Sequence, residues 1–209
     1  METFEVERRI KELEGELSRL KKKRQNYSAL INNYAFPSKK KIEGVRFSAS
    51  AASIKANNEL DLTLIEIKEG SSISGVFTTS NTRSSAVRWC QNVLENRRKI
   101  TSSGKSAILI NSGNANTFTG AEGEKAVADS IVAVSEHLGC EPKNIFVAST
   151  GVIGETLPVD KIIDEVPVLC KELSPESIAL SAEAIMTTDT FPKGSFRNII
   201  IDGREVSIL

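Results

Sequence analysis

The chain has 209 residues, enough for one large domain or a domain with an appendage, and enough to bury a real core. Its 27 basic and 27 acidic residues cancel, and 40% of it is hydrophobic, so no global charge favours nucleic acid or an anionic membrane. No apolar run approaches the ~20 residues that span a bilayer, the start METFEVERRIKELEGEL is too charged for a signal peptide, and Cys90, Cys140 and Cys170 are too scattered for a disulfide framework or a zinc site, so a cytoplasmic protein without a metal or other cofactor is expected.

Val6, Ile10, Leu13, Leu17, Leu20, Tyr27 and Ile31 repeat at alternating spacings of four and three, broken at Arg24. Glu, Lys and Arg fill the gaps, which fits either a short coiled coil or a lone amphipathic helix docked on its own domain. The run KKKR at 21–24 lies inside this Glu-rich helix and reads as a solvated face. Residues 32–45, NNYAFPSKKKIEGV, read as a linker. Two regions are therefore expected: a helical extension over 1–40 and a domain over 41–209.

The domain alternates strand and helix patterns. ELDLTLIEI (59–67) alternates like a half-buried strand, SGVFTTS (74–80) reads as a second, and SSAVRWCQNVLEN (84–96) as a helix with a Ser cap. KSAILIN (105–111) is a short apolar strand that runs into SGNANTFTG. In GAEGEKAVADSIVAVSEHLG (120–139), Ala126, Val127, Ile131, Val134 and Leu138 form one helical face, with Gly139 placed for a left-handed cap. NIFVAS (144–149) is the next strand, and Pro158 opens a helix carrying Ile162, Ile163, Val166 and Leu169. Ser174-Pro175-Glu176 starts another helix, ending near Met186, and Asp202-Gly203 inside NIIIDGREVSIL signals a hairpin. This order implies an α/β class with a mixed sheet.

Two strands share one design, an apolar run ending in a Gly-rich polar loop that leads to a helix. They are Ile108-Leu109-Ile110-Asn111-Ser112-Gly113-Asn114-Ala115-Asn116 and Phe146-Val147-Ala148-Ser149-Thr150-Gly151. Such loops can aim backbone N–H groups into a crevice at strand C-termini, or they can simply be tight turns. Ser103-Gly104-Lys105-Ser106 is no phosphate loop, because Lys99 stands where the first Gly is needed and the strand follows instead of preceding. The single histidine, His137, sits near a helix end where a cation suits the helix dipole. Histidine-based nucleophilic catalysis is therefore not expected.

The ordered motifs GVFTTSN, ILINSGNAN–TG, VASTGVIGE–LPVDKI and AIMTTDTFPK, over about residues 43–209, resemble the ornithine acetyltransferase family of arginine biosynthesis, the bifunctional glutamate N-acetyltransferases. The resemblance implies a layered αββα-type fold, related to DmpA-like aminopeptidases, with a mixed sheet, here preceded by an N-terminal helix. It implies a precursor that cleaves itself before an internal threonine, which becomes the N-terminal nucleophile of a β chain. Acetyl then passes from N-acetylornithine to that threonine and on to glutamate. A free N-terminal amine is one recognised base for such a hydroxyl, consistent with the scarcity of histidine. The resemblance assigns the oxyanion hole to Thr150 and Gly151 and a substrate contact to Thr187. Whether acetyl-CoA also donates acetyl stays open.

Two departures from the family pattern stand out. The motif of type GGxAKGSGMxxPNMATML, which holds the nucleophile, does not occur in these 209 residues, and residues 1–40 are not part of the pattern. The expectation is an α-chain portion that needs a β chain and is inactive alone, with self-association through residues 4–31 as a further possibility. The alternative is a non-catalytic binding or assembly protein built on the same fold.

Overall fold

The computed structural model describes residues 36–37, 40–97 and 104–209. The heptad positions at 6–31 lie outside the described residues. The chain divides into two compact units. One joins residues 1–35 to Thr188–Phe191, of which only the latter four are described; they contain no helix or strand. The other holds every element below.

A four-stranded sheet forms its centre, in the order β1 (Val45–Ser50), β2 (Leu62–Ile67), β3 (Ser106–Asn114) and β4 (Ile145–Val152). The first two pairings are antiparallel and β3–β4 is parallel, so the sheet is mixed. A parallel pair needs a crossover, supplied by α2 (Gly120–Leu138). The remaining helices are α1 (Ser85–Arg97), α3 (Val159–Lys171) and α4 (Ile178–Ala184), the last entered through a 3-10 turn at Pro175–Ser177. A separate hairpin, β5 (Arg197–Ile201) and β6 (Arg204–Ile208), turns at Asp202 and Gly203, both at positive φ.

Side chains alternate across a strand, so the pairings Leu64↔Leu109 and Leu109↔Val147 put these three residues on one face with Leu62, Ala107 and Ile145. They are buried in one cluster with Ala126, Val127, Ile131 and Val134 of α2 and Ile162, Val166 and Leu169 of α3. Each large side chain buried there contributes roughly 1.5–3 kcal/mol. α2 ends as expected: Gly139 adopts φ +67 and donates to the Ser135 carbonyl. His137 lies in its last turn, with Nδ1 2.9 Å from the Ala133 carbonyl oxygen, a structural placement.

The opposite sheet face meets α4. Thr63 Oγ1 lies 2.8 Å from Ser181 Oγ and 2.7 Å from the Ser48 carbonyl. Both sheet edges are partly closed. β1 exchanges two backbone hydrogen bonds between Phe47 and Ser174. At β4, Trp89 Nε1 donates to the Ile145 carbonyl at 2.9 Å and Cys90 Sγ to the Val147 carbonyl at 3.2 Å. At the end where β3 begins, the buried Glu66 carboxylate is held between Arg46 at 2.7 Å and Lys105 at 3.2 Å.

Two local expectations need correction, and one strand, β1, was not expected. Residues 74–80 form no strand. Hydroxyls there bind nearby backbone instead, Thr78 Oγ1 accepting from Ser80 N–H and Ser80 Oγ from Thr82 N–H; such local bonds compete with a ladder. β1 had no clear alternation, since VRFSAS mixes one aromatic with small polar residues. Finally, β3 and β4 continue through their glycines, to Asn114 and Val152. Among the described residues, no helix is long and apolar enough to cross a membrane.

Candidate functional site

The two Gly-rich loops lie side by side. β3 and β4 remain paired past their apolar cores, Ser112 opposite Thr150 and Gly113 opposite Gly151. There the register shifts, and Asn114 pairs with both Thr150 and Val152, the signature of a bulge that re-aims a strand end. Gly151 has φ +134, and a Cβ on it would stand 2.3 Å from the Gly113 carbonyl carbon and 2.6 Å from Asn114 N. No side chain fits, so the two backbones approach as closely as glycine permits. Thr150 is half-buried and Gly151 exposed, so the turn opens to solvent at the C-terminal ends of two parallel strands, where ligands collect in α/β sheets.

Behind the turn lies a network of buried amides. Asn111 Nδ2 donates to the Asn114 carbonyl at 2.8 Å. Asn114 Oδ1 accepts from Asn116 N–H at 2.7 Å, while its Nδ2 donates to the carbonyls of Glu155 at 3.1 Å and Thr156 at 3.3 Å. Asn116, fully buried with φ +45, donates to the Gly123 carbonyl in the first turn of α2 and accepts from Thr119 Oγ1. Two backbone bonds tie the segments directly, Ala115 N–H to the Val152 carbonyl and Gly154 N–H to the Thr117 carbonyl.

A second support comes from Asp61, also fully buried. Its carboxylate accepts from the N–H groups of Ala52 at 2.7 Å, Ile54 at 2.6 Å and Lys55 at 2.8 Å. Its own carbonyl accepts from Ser112 N–H. The loop so held packs on Gly113, where an added Cβ would lie 3.1 Å from side-chain carbons of both Ile54 and Lys55. Asp61 is thus fully engaged in structure.

Thr187 follows α4 and is exposed. Ser112 Oγ donates to the carbonyl of Ala184, so α4 ends beside the residue that pairs with Thr150. Three residues of chain reach at most about 10 Å, so Thr187 lies within that distance of Ala184. Thr150 and Gly151 thus lie at the ends of β3 and β4, and the end of α4, which Thr187 follows, lies beside Ser112. Asn111, Asn114 and Asn116 belong to a loop the sequence singled out, without a role for each side chain, and Asp61 was not singled out. Their signal was polarity inside or next to apolar strands, and polarity alone reads equally well as a turn. Among the described residues, no group of three or more His, Cys, Asp or Glu side chains is placed to hold a metal ion.

Residues 46–209 match the ArgJ family. The chain is 42% identical over 174 residues to the arginine biosynthesis bifunctional protein ArgJ of Ruegeria pomeroyi, covering 83% of this chain and 42% of that protein. It is 43% identical over 167 residues to the protein of the same description from Gluconobacter oxydans, covering 80% of this chain and 38% of that one. The chain thus spans about two-fifths of the length of these curated relatives. Among solved structures it resembles ornithine acetyltransferase from Mycobacterium tuberculosis, crystallised with ornithine, with TM-score 0.64 and 32% identity over 75% of this chain and 80% of that one. It also resembles the arginine biosynthesis bifunctional protein ArgJ from Bacillus halodurans, with TM-score 0.67 and 26% identity over 79% and 84%.

Proposed function

The chain belongs to the ArgJ family, and we propose that it is the α-chain portion of an acetyltransferase that moves acetyl from N-acetylornithine to glutamate, with the nucleophilic threonine on a β chain. The observation that carries this reading is the bulged Thr150–Gly151 end of β4, locked against Gly113 and open to solvent. The relative covered over four-fifths of its crystallised chain was solved with ornithine bound, which supports an ornithine-type substrate. The curated relatives are covered over only two-fifths, whereas the crystallised chains are covered over about four-fifths, which supports enzymes present as two chains.

In the proposed cycle the threonine Oγ attacks the acetyl carbonyl carbon and gives its proton to the N-terminal amine. The carbonyl π electrons move onto oxygen, and the resulting anion is held by the Gly151 N–H and the Thr150 hydroxyl. Collapse breaks the C–N bond, and the departing amine takes the proton, releasing ornithine and leaving an acetyl ester. The glutamate amine then attacks that ester, and the same two donors hold the second oxyanion. Its collapse breaks the C–O bond as the proton lost by the attacking amine passes through the N-terminal amine to the threonine oxygen. No imidazole is required. Thr187, which follows α4, contacts the substrate. Acetyl-CoA as a further acetyl donor remains outside this reading.

The β chain covers the second face of the sheet. In support, an open, mostly apolar hollow of about 540 Å³ lies there, lined by Val45, Phe47, Ile65, Ile110, Ile178 and Ile185. Residues 1–40 are a separate extension, through which copies of the chain associate by the heptad spacing of residues 4–31.

Thr150→Ala in the full-length enzyme tests the assignment. The expected outcome is kcat lowered about a hundredfold in an N-acetylornithine and glutamate assay, the usual loss for one oxyanion donor. An unchanged kcat removes Thr150 from the site.

A further inference from the structure

We infer that Asn114 is the positioning residue of the Thr150–Gly151 turn, an inference that rests on the oxyanion reading above. Three independent attachments converge on this one residue. Its backbone straddles Gly151, pairing with Thr150 on one side and Val152 on the other. Its side-chain amide reaches past the turn to the carbonyls of Glu155 and Thr156. Its own carbonyl is held by Asn111 Nδ2. The segment 150–156 is therefore clasped at both ends by a single residue only 4% exposed.

The chemistry required at position 114 is narrow. The side chain donates to two carbonyls and accepts from one buried N–H, that of Asn116, at the same time. Asparagine has both functions on a one-carbon stem. Aspartate has the same size and keeps the acceptor, but sets a negative oxygen against the carbonyls of Glu155 and Thr156. Alanine leaves two carbonyls and one N–H without partners. Asn114 does not touch the reacting atoms. It acts by holding the turn where its donors meet the developing charge, and such donors lose their value when displaced by a fraction of an ångström.

A positioning role differs from a merely structural one in where its loss is felt. The full-length enzyme is assayed with Asn114→Ala and Asn114→Asp, each alone and combined with Thr150→Ala. Asn114→Ala lowers kcat on the order of tenfold or more and leaves KM within about twofold, since the affected interaction belongs to the transition state. Asn114→Asp is at least as slow as Asn114→Ala despite its closer shape. On the Thr150→Ala background, Asn114→Ala costs less than on the unaltered enzyme, because only the Gly151 N–H then remains to be positioned.

Full kcat for Asn114→Ala, faster turnover by Asn114→Asp, or losses that multiply in the double variant overturn the inference while leaving Thr150 in the site. Full kcat for Thr150→Ala overturns the oxyanion reading and this inference with it. If Asn114→Ala does not fold, Asn114→Asp carries the test. Failure of both to fold overturns the inference, since the residue is then structural.

Discussion

Gly123 shows how tightly single residues set this site. It lies in the first turn of α2, where an added Cβ would stand 2.0 Å from Thr119 Oγ1 and 2.6 Å from Asn116 Oδ1. Alanine is the better helix former by about 1 kcal/mol, so propensity alone predicts that Gly123→Ala stabilises. Contact at 2.0 Å forces Thr119 to rotate away and break its bond to Asn116 Oδ1. Overpacking of this kind costs about 1–3 kcal/mol, and the loss of the Thr119 bond to the buried Asn116 Oδ1 adds to it. Gly123→Ala is therefore expected to destabilise the protein by about 1–2 kcal/mol in urea unfolding, and a higher midpoint would show that the Asn116 network tolerates the methyl. At this scale the sequence was partly legible. Thr150 and Gly151 stood out as a Gly-rich turn after an apolar strand. Asn114 stood in the other such loop, but its partners and the role of Asp61 were not legible, because a polar residue bound to distant backbone has no local pattern; Asn114 reaches Glu155 across 41 positions.

The elements were legible wherever periodicity was strong. α2 and α3 carry apolar residues at helical spacing, and α3 forms despite Pro167 inside it. An internal proline costs about 3 kcal/mol, and burial of Ile162, Val166 and Leu169 against the sheet offsets it. The edge of β4 was not legible, since Trp89 and Cys90 of α1 read as ordinary helix residues until they were found bonded to its backbone. That arrangement has a chemical consequence. Burial raises the Cys90 thiol pKa above its ordinary value, the bond with Val147 lowering it only in part. Burial likewise raises Cys170 and pushes Cys140 up to about 11, against a smaller lowering by Lys105. A thiol with a pKa near 11 is only about one-thousandth thiolate at pH 8. The native chain should therefore react with a thiol-specific disulfide reagent at pH 8 far more slowly than the urea-unfolded chain, in which all three cysteines react at once. Rapid labelling of Cys90 or Cys140 in the native protein would show that α1 or the end of α2 opens.

At the scale of the whole molecule, the second face of the sheet dominates. The hollow beside α4 is apolar, and the β5–β6 hairpin exposes Ile200 at 70% and Ile208 at 51%. Apolar surface of this kind is usual at protein interfaces and is an aggregation hazard when bare. The proposed α-chain reading makes this the surface on which the β chain completes the enzyme. These 209 residues alone are expected to show no acetyl transfer from N-acetylornithine to glutamate, because no threonine among them has the nucleophile's motif. Turnover by the isolated chain would overturn the division of labour proposed for the two chains.

By itself the sequence determined the class of the protein. Alternating strand and helix periods specified an α/β chain with a mixed sheet, and ordered motifs pointed to its family. Both are carried by local patterns, because burial of one face repeats every two or 3.6 residues. Only the tertiary structure decided that β3 and β4 stay paired through their glycines, that Asn114 clasps the Thr150–Gly151 segment, and that Asp61, just before β2, holds the loop that packs on Gly113. Those facts depend on hydrogen bonds between residues far apart in the chain, and on a backbone approach that no side chain could share.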